Sequence, residues 1–221
     1  MADLERFDES DEMFMASLSQ SMADLIPQIF PGEMDMAGQI HTLHILPVSQ
    51  MDTPQIEQFL GVVDKCLGPF YARHKGPSWK IDKLDEMAEP GLIYIWYEHH
   101  GSVSCFLSLM MVLEPLGKTL YLYEIHVSPE YQGRRLGSRL MGFFHDYGNF
   151  LNQKAHQSPS GQTRHLASVA TGLTVFSDNE KAKNWYFKLG YDFSADSPLD
   201  KRLRNGKVVK PSFYILYRLL A

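Results

Sequence analysis

Residues 121–138 read YLYEIHVSPEYQGRRLGS, and the fold turns on how this run is divided. Leu120, Leu122, Ile125 and Val127 alternate as in a buried strand, Ser128-Pro129-Glu130 breaks it, and Gly133 to Ser138 open an apolar-periodic helix expected from about Arg134 to Asn152. A loop that runs from a strand into a helix offers backbone N–H groups without intrahelical partners at the positive end of the helix dipole, which suits a diphosphate. Arg134 and Arg135 add charge there. A Gly-containing helix start also serves plain capping, so the loop alone leaves both readings open.

A second segment changes the balance. After the strand-like HLASVATGLTVF comes Asn179-Glu-Lys-Ala182-Lys-Asn-Trp185-Tyr186-Phe-Lys188-Leu-Gly190-Tyr191, a helix with Asn near its start, an aromatic pair and a closing Gly. The order of strand, Gln-Gly-Arg-Arg-Leu-Gly loop, helix, strand and Asn-x-x-Ala-x-x-Trp-Tyr helix resembles the GNAT superfamily of N-acetyltransferases. The chain departs from the family loop at Arg135, which stands at a usual glycine. A positive φ there strains the Arg; a helical one tolerates it, and the helical reading is preferred.

With 221 residues, 44% hydrophobic and 21% charged, the chain can bury one domain plus an appendage. Its acidic start lacks the pattern of a signal peptide, and no apolar run approaches the roughly 20 residues of a membrane span. Cys66 and Cys105 fall in helix and strand patterns and read as reduced core thiols, so cytoplasm and nucleus are the expected compartments. A net charge of −5 argues against direct nucleic-acid reading and is compatible with a basic peptide. The nine histidines show no ligand spacing, so no metal is expected.

Residues 1–38 are expected to form a helical appendage, with Phe14, Leu18, Met22, Leu25 and Ile29 at helical spacing. The main domain then spans 39–221. Its elements are strand IHTLHIL, a helix from Asp52-Thr53-Pro54 to about Leu67, a Gly/Pro loop, a short acidic helix at Asp82–Met87, and strands near 92–97, 103–113 and 119–127. After the long helix come a polar loop AHQSPSGQTR, a strand over 165–176, the second motif helix, a strand near 191–194, a basic loop KRLRNGKVVK and a closing strand 213–219. This order fits an α/β fold; the resemblance implies a mixed, mostly antiparallel twisted sheet of about seven strands with helices on both faces.

Within the superfamily, Tyr-x-Tyr-Glu at 121–124 and Leu-Thr-Val-Phe at 173–176 resemble the N-terminal acetyltransferase D branch, which acetylates the N-terminal serine of histones H4 and H2A. The resemblance implies acetyl-CoA as co-substrate, with Ile125, His126 and Val127 supplying strand backbone, Gly133, Arg134, Arg135, Leu136, Gly137 and Ser138 holding the pyrophosphate, and Thr174 and Asn179 completing the site. On the peptide side it implies Tyr121, Tyr123 and Glu124, then, more loosely, Trp79, Tyr71, Glu114, Phe213 and Tyr214. Histone H4 and H2A N-terminal peptides are the implied partners, with a ribosome contact through the basic loop, no membrane and no auxiliary subunit.

Transfer from a thioester needs a neutral amine and a protonated leaving thiolate. An α-amine, with a pKa of about 7.7–8.0, needs far less help than a lysine at about 10.4. Glu124 is the candidate base, directly or through water, and Tyr123 its competitor; without the motif, Glu124 reads as a buried ion-pair member. Tyr186 stands where the superfamily often protonates the coenzyme sulfur, and reads equally as helix core. Asn179 reads also as a helix N-cap.

Overall fold

The computed structural model describes residues 9–157 and 162–220. Short helices α1 (Glu9–Ser17) and α2 (Ser19–Ala23) precede strands β1 (Glu33–Met36) and β2 (Gln39–Pro47), then helices α3 (Thr53–Lys75) and α4 (Trp79–Met87). Strands β3 (Ile93–His99), β4 (Ser102–Glu114) and β5 (Gly117–Val127) form a meander that leads into α5 (Leu136–Gln157). The chain closes with β6 (Ala170–Phe176), α6 (Glu180–Lys188), β7 (Asp192–Phe193), a small hairpin of β8 (Lys201–Arg202) and β9 (Val208–Val209), and β10 (Phe213–Leu219).

One sheet runs in the order β1-β2-β3-β4-β5-β6-β10-β7, eight strands against the expected seven. The extra strand is β1, inside the segment expected to be wholly helical. Every neighbouring pair is antiparallel except β5 and β6. α3 and α4 cover one face over a core of Phe59, Val63, Trp79, Tyr94 and Phe106. α1, α2, α5 and α6 cover the other, where Met22, Ile26 and Phe30 join Leu140, Phe144, Tyr147 and Leu173.

The N-terminal segment therefore packs into the main core. Tyr147 donates its hydroxyl to the Met22 carbonyl at 2.6 Å and Tyr97 donates to Pro31 O at 2.8 Å, so two core phenols hold this backbone where water cannot. Residues 1–8 of the expected appendage lie outside the described residues.

Helix α3 departs most from expectation. It starts as read, with Asp52 and Gln55 forming a reciprocal capping box. It then continues through Gly68 and Pro69, expected as a loop, to Lys75. A proline inside a helix costs about 3 kcal/mol. The last two turns offset this by packing: Phe70 stacks on Phe176 at 5.9 Å, Tyr71 on Trp79 at 4.6 Å, and Arg73 and His74 pair with Asp178.

Near the motif helices, α5 starts two residues late and ends five residues late, at Gln157, taking up the start of the expected polar loop; 158–161 lie outside the described residues. Gln162–Leu166 is a 3₁₀ helix, so β6 starts only at Ala170. Phe30 is 1% exposed and Met13 74%. Phe30→Ala is expected to cost about 3–5 kcal/mol in urea unfolding and Met13→Ala less than about 0.5; equal small effects would detach the N-terminal segment from the cooperative unit.

Candidate active site

The site begins with one extra residue. β4 and β5 pair Ser108 with Glu124 and then Leu109 with Leu122, leaving Tyr123 in a bulge. The bulge shifts the phase of the strand: Leu120 and Leu122 face the α5 core, as do Ile125 and Val127, while Glu124 and His126 turn toward α3 and α4. Without it, a buried carboxylate and a buried imidazole would face an apolar core.

β5 and β6 are paired only from Thr119↔Ala170 to Leu122↔Leu173. Beyond that they part, so Tyr123–Val127 on one side and Thr174–Phe176 on the other have no partner strand across the gap. At the fork, the Tyr121 hydroxyl meets Thr174 Oγ1 at 2.6 Å. Gly172 lies just below: a Cβ there would come within 3.0 Å of the rings of Tyr217 and Tyr121, so only glycine lets both rings close over the strand.

Glu124 is 5% exposed and forms ion pairs with Lys83 of α4 and with His126, while the Tyr71 hydroxyl lies 3.5 Å from Oε1. Lys83 also holds Glu86 at 2.5 Å and sits 5.2 Å over the Tyr71 ring. Burial opposes the Glu124 charge, but Lys83 and His126 outweigh it and hold the carboxyl well below its usual range. His126 moves the other way: burial lowers it, while Cys66 and Glu124 on its two sides raise it to about 9. At neutral pH the cluster holds Glu124 ionised between two cations. That ion-pair reading is what the geometry shows; a carboxylate so held is a poor proton sink and a good hydrogen-bond acceptor.

The loop before α5 has Gly133 at φ +78° and Arg135 at φ +61°, and α5 begins at Leu136. Arg135 is thus left-handed, correcting the helical expectation: the chain makes its last turn there before the helix. The Arg139 N–H bonds Arg135 O, while the N–H groups of Leu136, Gly137 and Ser138 belong to the first turn and point out of the helix. Gly137 packs on the Trp185 ring, where a Cβ would stand 3.4 Å from it. Asn179 caps α6, its Oδ1 accepting from the Ala182 N–H at 3.2 Å. Tyr186 is 8% exposed and its phenol is pushed up by burial, then by Tyr191 and Glu124, so it stays protonated at any working pH.

Tyr71 stacks on the buried Trp79 and reaches Glu124 with its hydroxyl, while Tyr121 and Tyr123 lie 5.4 Å apart at the mouth where β5 and β6 part. Glu114, at the end of β4, acts on the phenols of Tyr121, Tyr123 and Tyr217. Phe213 pairs with Phe176 across the sheet. Tyr214 is set apart: its ring packs with the α5/α6 core, under Lys183, and its hydroxyl donates to Asp200. Alternation along β10 puts Tyr217, three residues on, beside Tyr121 instead.

Sequence reading missed Lys83 and Tyr217, although each left a trace. Trp79, Lys83 and Met87 recur every four residues, placing a lysine on the buried stripe of α4.

Comparison with known proteins agrees with this fold. Residues 62–150 match the acetyltransferase (GNAT) family model. The fold is similar to those of an acetyltransferase from Streptococcus agalactiae (15% identity, 86% of this chain and 100% of that one, TM-score 0.52) and a GNAT-family acetyltransferase from Listeria monocytogenes (14%, 85% and 99%, 0.50). The chain has the GNAT fold, and the matched segment lies in that family of acetyltransferases. In sequence it is similar to N-alpha-acetyltransferase 40 of Saccharomyces cerevisiae, 30% identical over 187 residues that cover 71% of this chain and 60% of the relative.

The ion cluster ties stability to pH. Folding raises the His126 pKa from its ordinary 6.5 to about 9, so its contribution is full below pH 6.5 and is lost as pH rises through about 9. Glu124, lowered from 4.5, contributes above that value and loses its contribution only in strong acid. Stability is therefore expected to fall by about 2 kcal/mol between pH 7 and 9.5, read as a lower melting temperature, and His126→Gln to flatten the fall. The same slope in both proteins would dismiss the raised pKa.

Proposed function

We propose that this chain is an acetyl-CoA-dependent N-alpha-acetyltransferase acting on the N-terminal serine of peptides beginning Ser-Gly-Arg-Gly, as in histones H4 and H2A. The observation that carries the reading is the buried Glu124, ionised at neutral pH between Lys83 and His126 with Tyr71 against it, placed where β5 and β6 part beside Tyr121 and Tyr123. The similarity to an N-alpha-acetyltransferase and the Tyr-x-Tyr-Glu run support it.

Coenzyme fits the residues present. The edge of Ile125 to Val127, without a neighbouring strand across the gap although Gln132 holds the Val127 carbonyl, suits the amides of its pantetheine arm, and the outward N–H groups of Leu136, Gly137 and Ser138 with Arg134 and Arg135 suit the pyrophosphate. Bound there, acetyl-CoA supplies an activated thioester acetyl group.

The chain's own groups divide the remaining work. At pH near 8 a large share of α-amines is already neutral, so solvent can take that proton before transfer. Glu124 then accepts a hydrogen bond from the amine and aims its lone pair, an orienting role in place of that of a strong base. As the C–N bond forms and the C–S bond breaks, backbone N–H groups near Ile125 would face the negative charge on the carbonyl oxygen, Tyr186, kept protonated by burial, would give the departing thiolate its proton, and the proton released by the attacking nitrogen would return to Tyr186 through solvent. Glu114, beside Tyr121 and Tyr217, suits the third-position arginine through charge-assisted hydrogen bonds. Cytoplasm and nucleus, action without an auxiliary subunit, and a ribosome contact through the exposed basic hairpin 201–210 belong to the same proposal.

Mass spectrometry of a peptide panel tests the substrate. Ser-Gly-Arg-Gly peptides should be acetylated on the α-amine, and Arg-to-Ala at position three should cut kcat/KM about tenfold to a hundredfold. Equal turnover of peptides beginning Met-Leu, or acetylation of lysine in a blocked peptide, would overturn the assignment. Glu124→Gln should lower kcat about a hundredfold. Gly137→Asp, which sets a carboxylate against the pyrophosphate, should weaken coenzyme binding at least tenfold by calorimetry, about 1.4 kcal/mol.

A further inference from the structure

The Lys83 side chain is 2% exposed, and burying an ammonium costs several kcal/mol before its partners compensate. If Lys83 served only to seat α4, an apolar side chain between Trp79 and Met87 would do so as well or better. Its charge therefore points to the atoms it touches.

We propose that Lys83 is a positioning residue of the site: its ammonium takes one oxygen of Glu124 while His126 takes the other, fixing the carboxylate in rotation and in charge toward the mouth. This rests on the orienting role given to Glu124. The groups that face Glu124 come from the elements on its side of the sheet: Lys83 from α4, Tyr71 from α3, Tyr94 from β3 and His126 from its own strand, with Glu86 on the far side of Lys83 and Cys66 behind His126, while Tyr186, in the core of the other face, feels its charge alone. The three phenols are neutral over the working range, so the two cations decide the ionisation of Glu124. Lys83 also lies over the Tyr71 ring, which stacks on Trp79, so the group that orients the carboxylate also touches the aromatic wall.

The test compares Lys83→Met, Lys83→Gln and Lys83→Arg with the wild type. Glu124 is titrated by carboxyl ¹³C NMR, its signal assigned by loss in Glu124→Gln, and kcat is measured from pH 5 to 9 with whichever panel peptide is turned over. In the Met and Gln variants the Glu124 midpoint should rise to about 7, kcat should fall tenfold or more at pH 6 and less at pH 8, and KM for acetyl-CoA should stay within twofold. Lys83→Arg should keep the midpoint within half a unit. Should Met not fold, Gln, which keeps chain length and a hydrogen bond, carries the comparison; should neither fold, a shifted midpoint in Lys83→Arg overturns the proposal. An unmoved midpoint, or an equal kcat loss at every pH, overturns it as well. The titration needs no turnover, so full activity in Glu124→Gln would strike the orienting role of Glu124 and leave the Lys83 result readable on its own.

Discussion

A single unpaired residue in β5 sets the rest of the structure. With Tyr123 as a bulge, the strand serves two cores: its first half lays Leu120 and Leu122 on the α5 side, and its second half turns Glu124 and His126 to the α3/α4 side. The same bulge lies at the last residues where β5 and β6 remain paired, so carboxylate and opening arise together. For the proposed reaction neither would be useful alone, since an opening without the charge would have nothing to orient an amine, and the charge without the opening nothing to reach.

Two cations then make that carboxylate tolerable. An isolated buried carboxylate would neutralise itself by taking up a proton, and one partner would leave half its lone pairs unsatisfied. Lys83 and His126 solve this from different elements, one from a helix and one from the strand itself. The cluster thus joins α4 to β5 in a way that apolar packing could not, because it demands a defined orientation as well as contact.

Much of this was legible in the residues, in uneven measure. The meander, the loop before α5 and the Asn-capped α6 follow from local pattern, and the motif located Glu124, Tyr121 and Thr174. What local pattern could not give depends on distant partners. Pro69 signals a loop, yet Phe176, Trp79 and Asp178, remote in sequence or beyond a turn, hold the helix through it. Arg135 in a glycine position suggests a helix, yet the chain needs one more left-handed turn before α5. The phase slip was written in the spacing of Leu122 and Ile125, three apart where a regular strand requires two.

The parting of β5 and β6 has a mechanical side. Across the middle of an eight-stranded sheet, the only parallel seam is four residue pairs long, and past it each strand holds to one neighbour. A molecule laid between them would act as a substitute strand, so the cohesion of the two halves would become a function of its concentration, growing by about 1.4 kcal/mol for each tenfold excess over its dissociation constant. The protein's resistance to heat and to proteolysis would in that sense be partly held outside its own chain, in the pool of whatever fills the seam.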